Sequence, residues 1–173
     1  MLEQLNLFQE IDYLVKRAVA IEWKRQGHDL TGEAIKNIDG VIARIAGGER
    51  IDYYILDYMA ELNEGVPASK IPKKGTPKWK EMIKDLTGYA KKRMDKGDKE
   101  AQSIAHAIGN KWLVEGKPTK ASARFSSTGK RTGFIEAALD GVEPELAALI
   151  ERGIEESINF VLESYFKTQI GQR

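Results

Sequence analysis

Apolar residues in this chain recur every three or four positions over long stretches, the spacing of one face of an α-helix, and this limits the fold to a helix-dominated one. Leu7, Ile11, Leu14, Ala18 and Ile21 predict a first helix over residues 3–26, which Gly27 stops. A helix with a single apolar side needs a surface to lie on. Residues 41–56 supply one: Val41, Ala43 and Ile45 alternate with Ile42 and Arg44, and Ile51, Tyr53 and Ile55 alternate with Asp52, Tyr54 and Leu56. The Gly47-Gly48 pair between the two runs favours a β-hairpin, although the Ala and Ile content keeps a helical reading of 33–46 open.

The same spacing continues downstream. A short helix is expected over Asp57–Asn63, ended by Glu64-Gly65-Val66-Pro67. After the Lys-rich loop SKIPKKGTPKW, Thr76 and Pro77 read as the cap and first position of a helix carrying Trp79, Met82, Ile83, Leu86 and Ala90 on one face. Asp98 is read as the cap of the next helix, whose apolar side is Ala101, Ile104, Ala105, Ile108 and Trp112 and whose end is Gly116. A last amphipathic helix is predicted over Val142–Phe166 through Leu146, Leu149, Ile150, Ile154, Ile158, Val161 and Tyr165. The expected class is α+β: a long N-terminal helix on a small antiparallel hairpin, then helices, an extended basic loop and a long C-terminal amphipathic helix. The expected organisation is one domain with an assembly extension, made of 1–97, a helix and hairpin core with the basic helix, and 98–173, the central helix, basic loop and C-terminal helix.

Charge is distributed in blocks. The net +1 of the 173 residues divides into 7 basic against 12 acidic residues over 1–65, 17 against 6 over 66–135, and 3 against 8 over 136–173. The segments therefore carry −5, +11 and −5. Such blocks attract one another, or place a basic surface against an acidic neighbour. Residues 117–133 hold Lys117, Lys120, Arg124, Lys130 and Arg131 without an acid. With so little to bury, this loop is expected to be mobile in a free subunit and ordered against a partner. The candidate contact residues are Lys70, Lys73, Lys74, Lys117, Lys120, Arg124, Phe125, Lys130, Arg131 and Phe134.

Most chemistry is argued against by the same sequence. With no cysteine there is no disulfide framework or thiolate metal site. The N-terminal MLEQLNLFQEID lacks a signal-peptide pattern, no run of apolar residues is long enough for a membrane span, and no membrane partner is expected. SSTGKRTG resembles a phosphate loop but has Arg124 where a Walker glycine belongs and Arg131 where a Ser or Thr belongs. His28 and His106 lie far apart, and Asp95, Asp98 and Glu100 fit no calcium loop. No enzyme activity, cofactor or metal is expected, and Trp79 and Trp112 read as core residues of two packed helices.

The order of motifs resembles that of the tail-completion or neck proteins of tailed bacteriophages, the connector family that includes minor tail and virion-morphogenesis proteins. Thr31-Gly32 follows the first helix, and Asp57-Tyr58-Met59-Ala60-Glu61-Leu62-Asn63-Glu64-Gly65 stands in place of that family's tyrosine-to-glycine motif. Ile71-Pro72 and Trp79 come next, then Ser103-Ile104-Ala105-His106-Ala107-Ile108 as the alanine-rich helix, Glu115-Gly116-Lys117-Pro118-Thr119 as its turn, and Phe134-Ile135 as the closing pair. The similarity spans residues 5–136. Met59 departs from the family's small residue and the Ala121–Gly133 loop is longer than in its simple members, so ring position and symmetry do not carry over. The resemblance implies an α+β subunit of a homomeric ring between portal and tail. Its partners would be copies of itself and portal, neck or tail proteins, with DNA phosphate contact in the channel, and its location the virion after synthesis in the host bacterial cytoplasm. The alternative is a small nonspecific nucleic-acid-binding protein using residues 66–135.

Overall fold

In the computed structural model, which describes the backbone of residues 2–29, 31–45 and 48–170, two long helices form the spine. α1 (Leu2–Arg25) and α6 (Phe134–Ile170) run antiparallel: Trp23 near the end of α1 meets Phe134 at the start of α6, and Arg152 pairs with Glu10 further along. Gly153 permits the approach, because a Cβ there would run into Leu7. Between the spine helices in sequence come α2 (Glu33–Lys36), strands β1 (Asp39–Ile45) and β2 (Gly48–Tyr54), α3 (Asp57–Glu64), a 3-10 turn (Ala68–Lys70), α4 (Pro77–Met94), α5 (Asp98–Glu115) and a 3-10 helix (Lys120–Phe125). The α+β, helix-dominated architecture read from the sequence is the one observed.

The antiparallel hairpin pairs Asp39 with Tyr54 and Ile42 with Ile51. Ala46 and Gly47 of its turn lie outside the described residues. It does not lie flat on α1 as a helix-on-hairpin core would. Its base packs, with Ile38, Tyr53 and Ile55 joining the core, while Val41, Ile45 and Tyr54 remain exposed. Burial, together with the Asp12 carboxylate, pushes the Tyr53 hydroxyl up to about 12.

Most of the buried apolar side chains fall into two clusters. Val15, Ala18, Val19 and Trp23 of α1 pack with Ala34, Ile38, Met59, Phe134 and Ala138. Trp79, Ile83 and Leu86 of α4 pack with Ala105 of α5, and Met82, Ile108 and Trp112 flank them. The packing thus groups α4 with α5 and α1 with α6. A division at 97/98 instead cuts the α4–α5 hairpin at its turn, because sequence order hides that the two ends of the chain share one core. The buried face of α5 is Ala101, Ala105 and Gly109, with Ile104 only half-buried. A Cβ on Gly109 would lie 2.9 Å from both Ile83 Cδ1 and Trp79 Cη2, so small side chains set the close approach of the helices.

Helix ends follow their local chemistry, with two departures from expectation. Thr76 caps α4, its hydroxyl accepting from Trp79 N–H at 3.2 Å. Asp98 is not a cap: Gly97 holds that position, and the Asp98 carboxylate pairs with Lys91 at 2.6 Å across the hairpin, which holds its pKa below the usual carboxylate value. α6 begins at Phe134, earlier than the expected Val142, and runs through Pro144. Pro144 lacks the N–H that the Asp140 carbonyl would accept, but both residues are exposed, so water can satisfy that carbonyl. The first turn of α6 is capped from a distance. Asn63 Oδ1 accepts from Ile135 N–H at 2.9 Å, its carbonyl accepts from Gly133 N–H at 2.8 Å, and its Nδ2 donates to the Glu136 carboxylate.

Two stability effects follow. Asn63→Ala leaves the Ile135 amide without its acceptor and should cost about 1–2 kcal/mol, read as a lower urea midpoint with an unchanged slope. Gly109→Val forces α4 and α5 apart and should cost about 1–3 kcal/mol, lowering Tm by several degrees. A Gly109→Val variant that melts with the wild type would show that the hairpin is not closely packed there.

Candidate functional site

The α4–α5 hairpin stands off from the main core and leaves a groove of about 1040 Å³ beside α3, the end of α1 and the Lys120–Phe125 helix. Its floor is apolar, formed in part by Met82, Leu86, Ile104, Ile108 and Trp112, and its polar lining includes Lys78, Lys92, Arg93 and Arg124 together with Glu33, Glu81 and Asp85.

The basic segment after α5 closes one end of this groove, and it is folded within the single chain. Val66 and Lys117 exchange backbone hydrogen bonds at 2.7 and 2.8 Å, and the Lys117–Pro118 peptide is cis. At Gly116 φ is +79°, and a Cβ would strike the Val66 carbonyl, so glycine is required for the crossing. The Lys120–Phe125 helix then lies against the end of α1. Ser127 N–H donates to the Arg25 carbonyl at 2.8 Å, and Arg131 Nη2 donates to the Gly27 carbonyl at 3.1 Å. Gly27, at φ +72°, leaves no room for a Cβ against the Phe125 carbonyl. Order in this segment therefore comes from hydrogen bonding. The Gln26, His28 and Gly27 amides take up the Glu22, Trp23 and Lys24 carbonyls, so the Arg25 carbonyl is left for Ser127, and a cationic segment is favoured at the negative end of a helix.

The candidate contact residues separate under this folding. Lys70, Lys73, Lys74, Lys120 and Lys130 are exposed. Arg124 stacks over the ring of Phe125, 4.8 Å from its centroid, and Phe125 is 51% exposed. Lys117 is held by Glu61 at 2.5 Å and lies 5.5 Å from the Trp112 ring centroid. Arg131 is half-buried. Phe134 is fully buried against Trp23 and Met59, so it is a core residue and not a contact for a partner: a helix start packed on another helix end hides its first apolar side chain.

A polar cluster that the sequence did not single out sits where α1 ends. Gln26 is buried and donates to the buried Glu22 carboxylate at 3.1 Å and to the Thr132 carbonyl at 3.3 Å. His28 stacks on Trp23 with centroids 4.7 Å apart and lies 3.3 Å from Arg131 Nη2 through Nδ1. Burial, with the Arg131 guanidinium beside it, pulls His28 down to about 4, so the ring is neutral at pH 7 and Nδ1 accepts. Burial also lowers the pKa of Arg131. Glu115 is held below the usual range by Lys111 and by the Lys120 amide.

α6 presents a second apolar stripe. Leu146 packs against the core, whereas Ile150, Ile154, Ile158 and Val161, which drift round the helix from it, are exposed. The periodicity places all of these on one broad face and carries no signal that α1 is too narrow to cover it.

No family model, curated protein or solved structure matches the chain. Among the described residues no group of three His, Cys, Asp or Glu side chains could hold a metal ion, and no helix is long and apolar enough to cross a membrane. His106 is exposed on α5.

The His28 shift gives a signed pH dependence. Its folded pKa of about 4 lies below the ordinary 6.5, so the unfolded chain takes up the proton first. Its contribution is complete above about pH 6.5 and is lost as pH falls toward about 4. Allowing for partial exposure, about 1 kcal/mol should disappear between about pH 7 and pH 5. His28→Gln should remove this part of the decline in urea-unfolding stability. An identical decline in both proteins would mean that the ring is not held neutral.

Proposed function

We propose that this chain is a structural virion subunit of a tailed phage, a neck, connector or tail-completion protein that assembles with copies of itself into a ring between portal and tail. The observation that carries the reading is the apolar surface the folded chain leaves open: Ile150, Ile154, Ile158 and Val161 along α6, together with Tyr13 and Ile21 on α1. Exposed apolar helix faces of this kind mark surfaces at which a protein meets a partner. The segregated charge supports the same reading, since −5 and +11 segments of identical chains attract across a contact. The motif order similar to the connector family agrees with it, and so does the α+β fold.

A second reading rests on Lys70, Lys73, Lys74 and Lys130, which are exposed and have no ion pair among the described residues. Such cations suit nonspecific contact with nucleic-acid phosphates.

The native mass at about 0.05 M and about 0.5 M salt separates the two, because apolar contacts survive screening and phosphate contacts do not. A multimer at both salts, with a ring of defined copy number in electron micrographs, is expected. A monomer that gains mass on adding duplex DNA, and loses it at the higher salt, would replace this reading with the second.

A further inference from the structure

We infer that the groove beside the α4–α5 hairpin receives the exposed end of α6 from a second copy of this chain, so that each subunit gives one helix end and takes one. The inference rests on the ring reading above and specifies the contact that would build it.

The two surfaces complement each other in chemistry. Ile150, Ile154, Ile158 and Val161 form a stripe spaced four, four and three residues apart, and Ile154 and Ile158 are 54% and 53% exposed. Glu151 and Glu155 stand beside this stripe, exposed and without an ion pair among the described residues. The groove offers an apolar floor lined by seven basic side chains against four acidic ones, Asp29, Glu33, Glu81 and Asp85, a net basic rim on which Lys78, Lys92 and Arg124 have no ion pair among the described residues. An acidic amphipathic helix and a basic-edged apolar groove are the two halves of helix-in-groove recognition. The stripe is also short enough to lie along the hairpin. The stripe rises about 17 Å, and α4 and α5, at 18 residues each, are about 27 Å long.

Geometry excludes filling the groove from within the same chain. Gly153 lies against Leu7 near the start of α1, whereas Trp23 and Gly27 near its end line the groove. Leu7 and Trp23 are about 24 Å apart along the helix, and the stripe points away from the groove's end of the molecule as α6 proceeds. The donor must be another copy. A contact between two different patches is heterologous, so it propagates from subunit to subunit and closes into a ring when the rotation permits.

That asymmetry supplies the test. Ile154→Glu with Ile158→Glu spoils the helix end and spares the groove. Lys78→Glu, Lys92→Glu and Arg124→Glu together reverse the groove edge and spare the helix. All five side chains are exposed, so both variants should keep the wild-type circular dichroism and Tm. By sedimentation velocity each variant alone should be monomeric where the wild type is assembled, with self-association weakened at least about tenfold. A 1:1 mixture should form dimers and nothing larger, because one intact groove then meets one intact helix end and the remaining patches are dead. A mixture that stays monomeric overturns the pairing. A helix-end variant that still assembles as the wild type does overturns it as well, while leaving the ring reading in place. A wild-type protein that is monomeric at every concentration removes both.

Discussion

The contact of Trp23 with Phe134 is the one on which the rest of the fold depends. The rings meet edge to face at 5.0 Å, both are fully or almost fully buried, and Met59 fills the space beside them. Through this contact the end of the first helix fixes the start of the last, and α3 is clamped between them. Each of these large side chains is worth several kcal/mol against truncation. Neighbouring features are consequences. The basic segment can hydrogen-bond to Arg25 and Gly27 only because Phe134, which follows it, returns the chain to Trp23.

Much of the architecture was legible because local rules and tertiary packing agree. Thr76-Pro77 marked the start of α4, the apolar spacing of Trp79, Ile83 and Leu86 marked its buried face, and Gly116 marked the end of α5. The failures share a cause, in that each depends on a distant residue. Asp98 is an acceptable cap in isolation, but Lys91 on the antiparallel neighbour draws its carboxylate away. Phe134, at the end of a basic loop, reads as a partner contact until α1 is seen to end beside it. Residues 117–133 have little apolar content, and nothing local says that the carbonyls of Arg25 and Gly27, at the end of the first helix, will order them.

Of the candidate surface, charge was legible and shape was not. The cations of residues 66–135 divide into those occupied inside the chain, such as Lys117 and Arg131, and those that stand free at the groove edge, such as Lys78 and Lys92. Composition counts both kinds alike. The groove itself arises because the α4–α5 hairpin has its own small core and so need not lie flush on the larger one.

The distant cap at Asn63 bears on how the chain comes together in time. Synthesis runs from the N-terminus, so α1, the hairpin and α3 leave the ribosome before Phe134 does. When the residues of α6 emerge, the acceptor for the Ile135 amide and the pocket for the Phe134 ring can already be in place. The longest helix of the protein thus starts on a prepared template, which removes part of the cost of nucleating a helix alone. Its apolar outer stripe is then displayed from a helix whose register has been set by the earlier half of the chain.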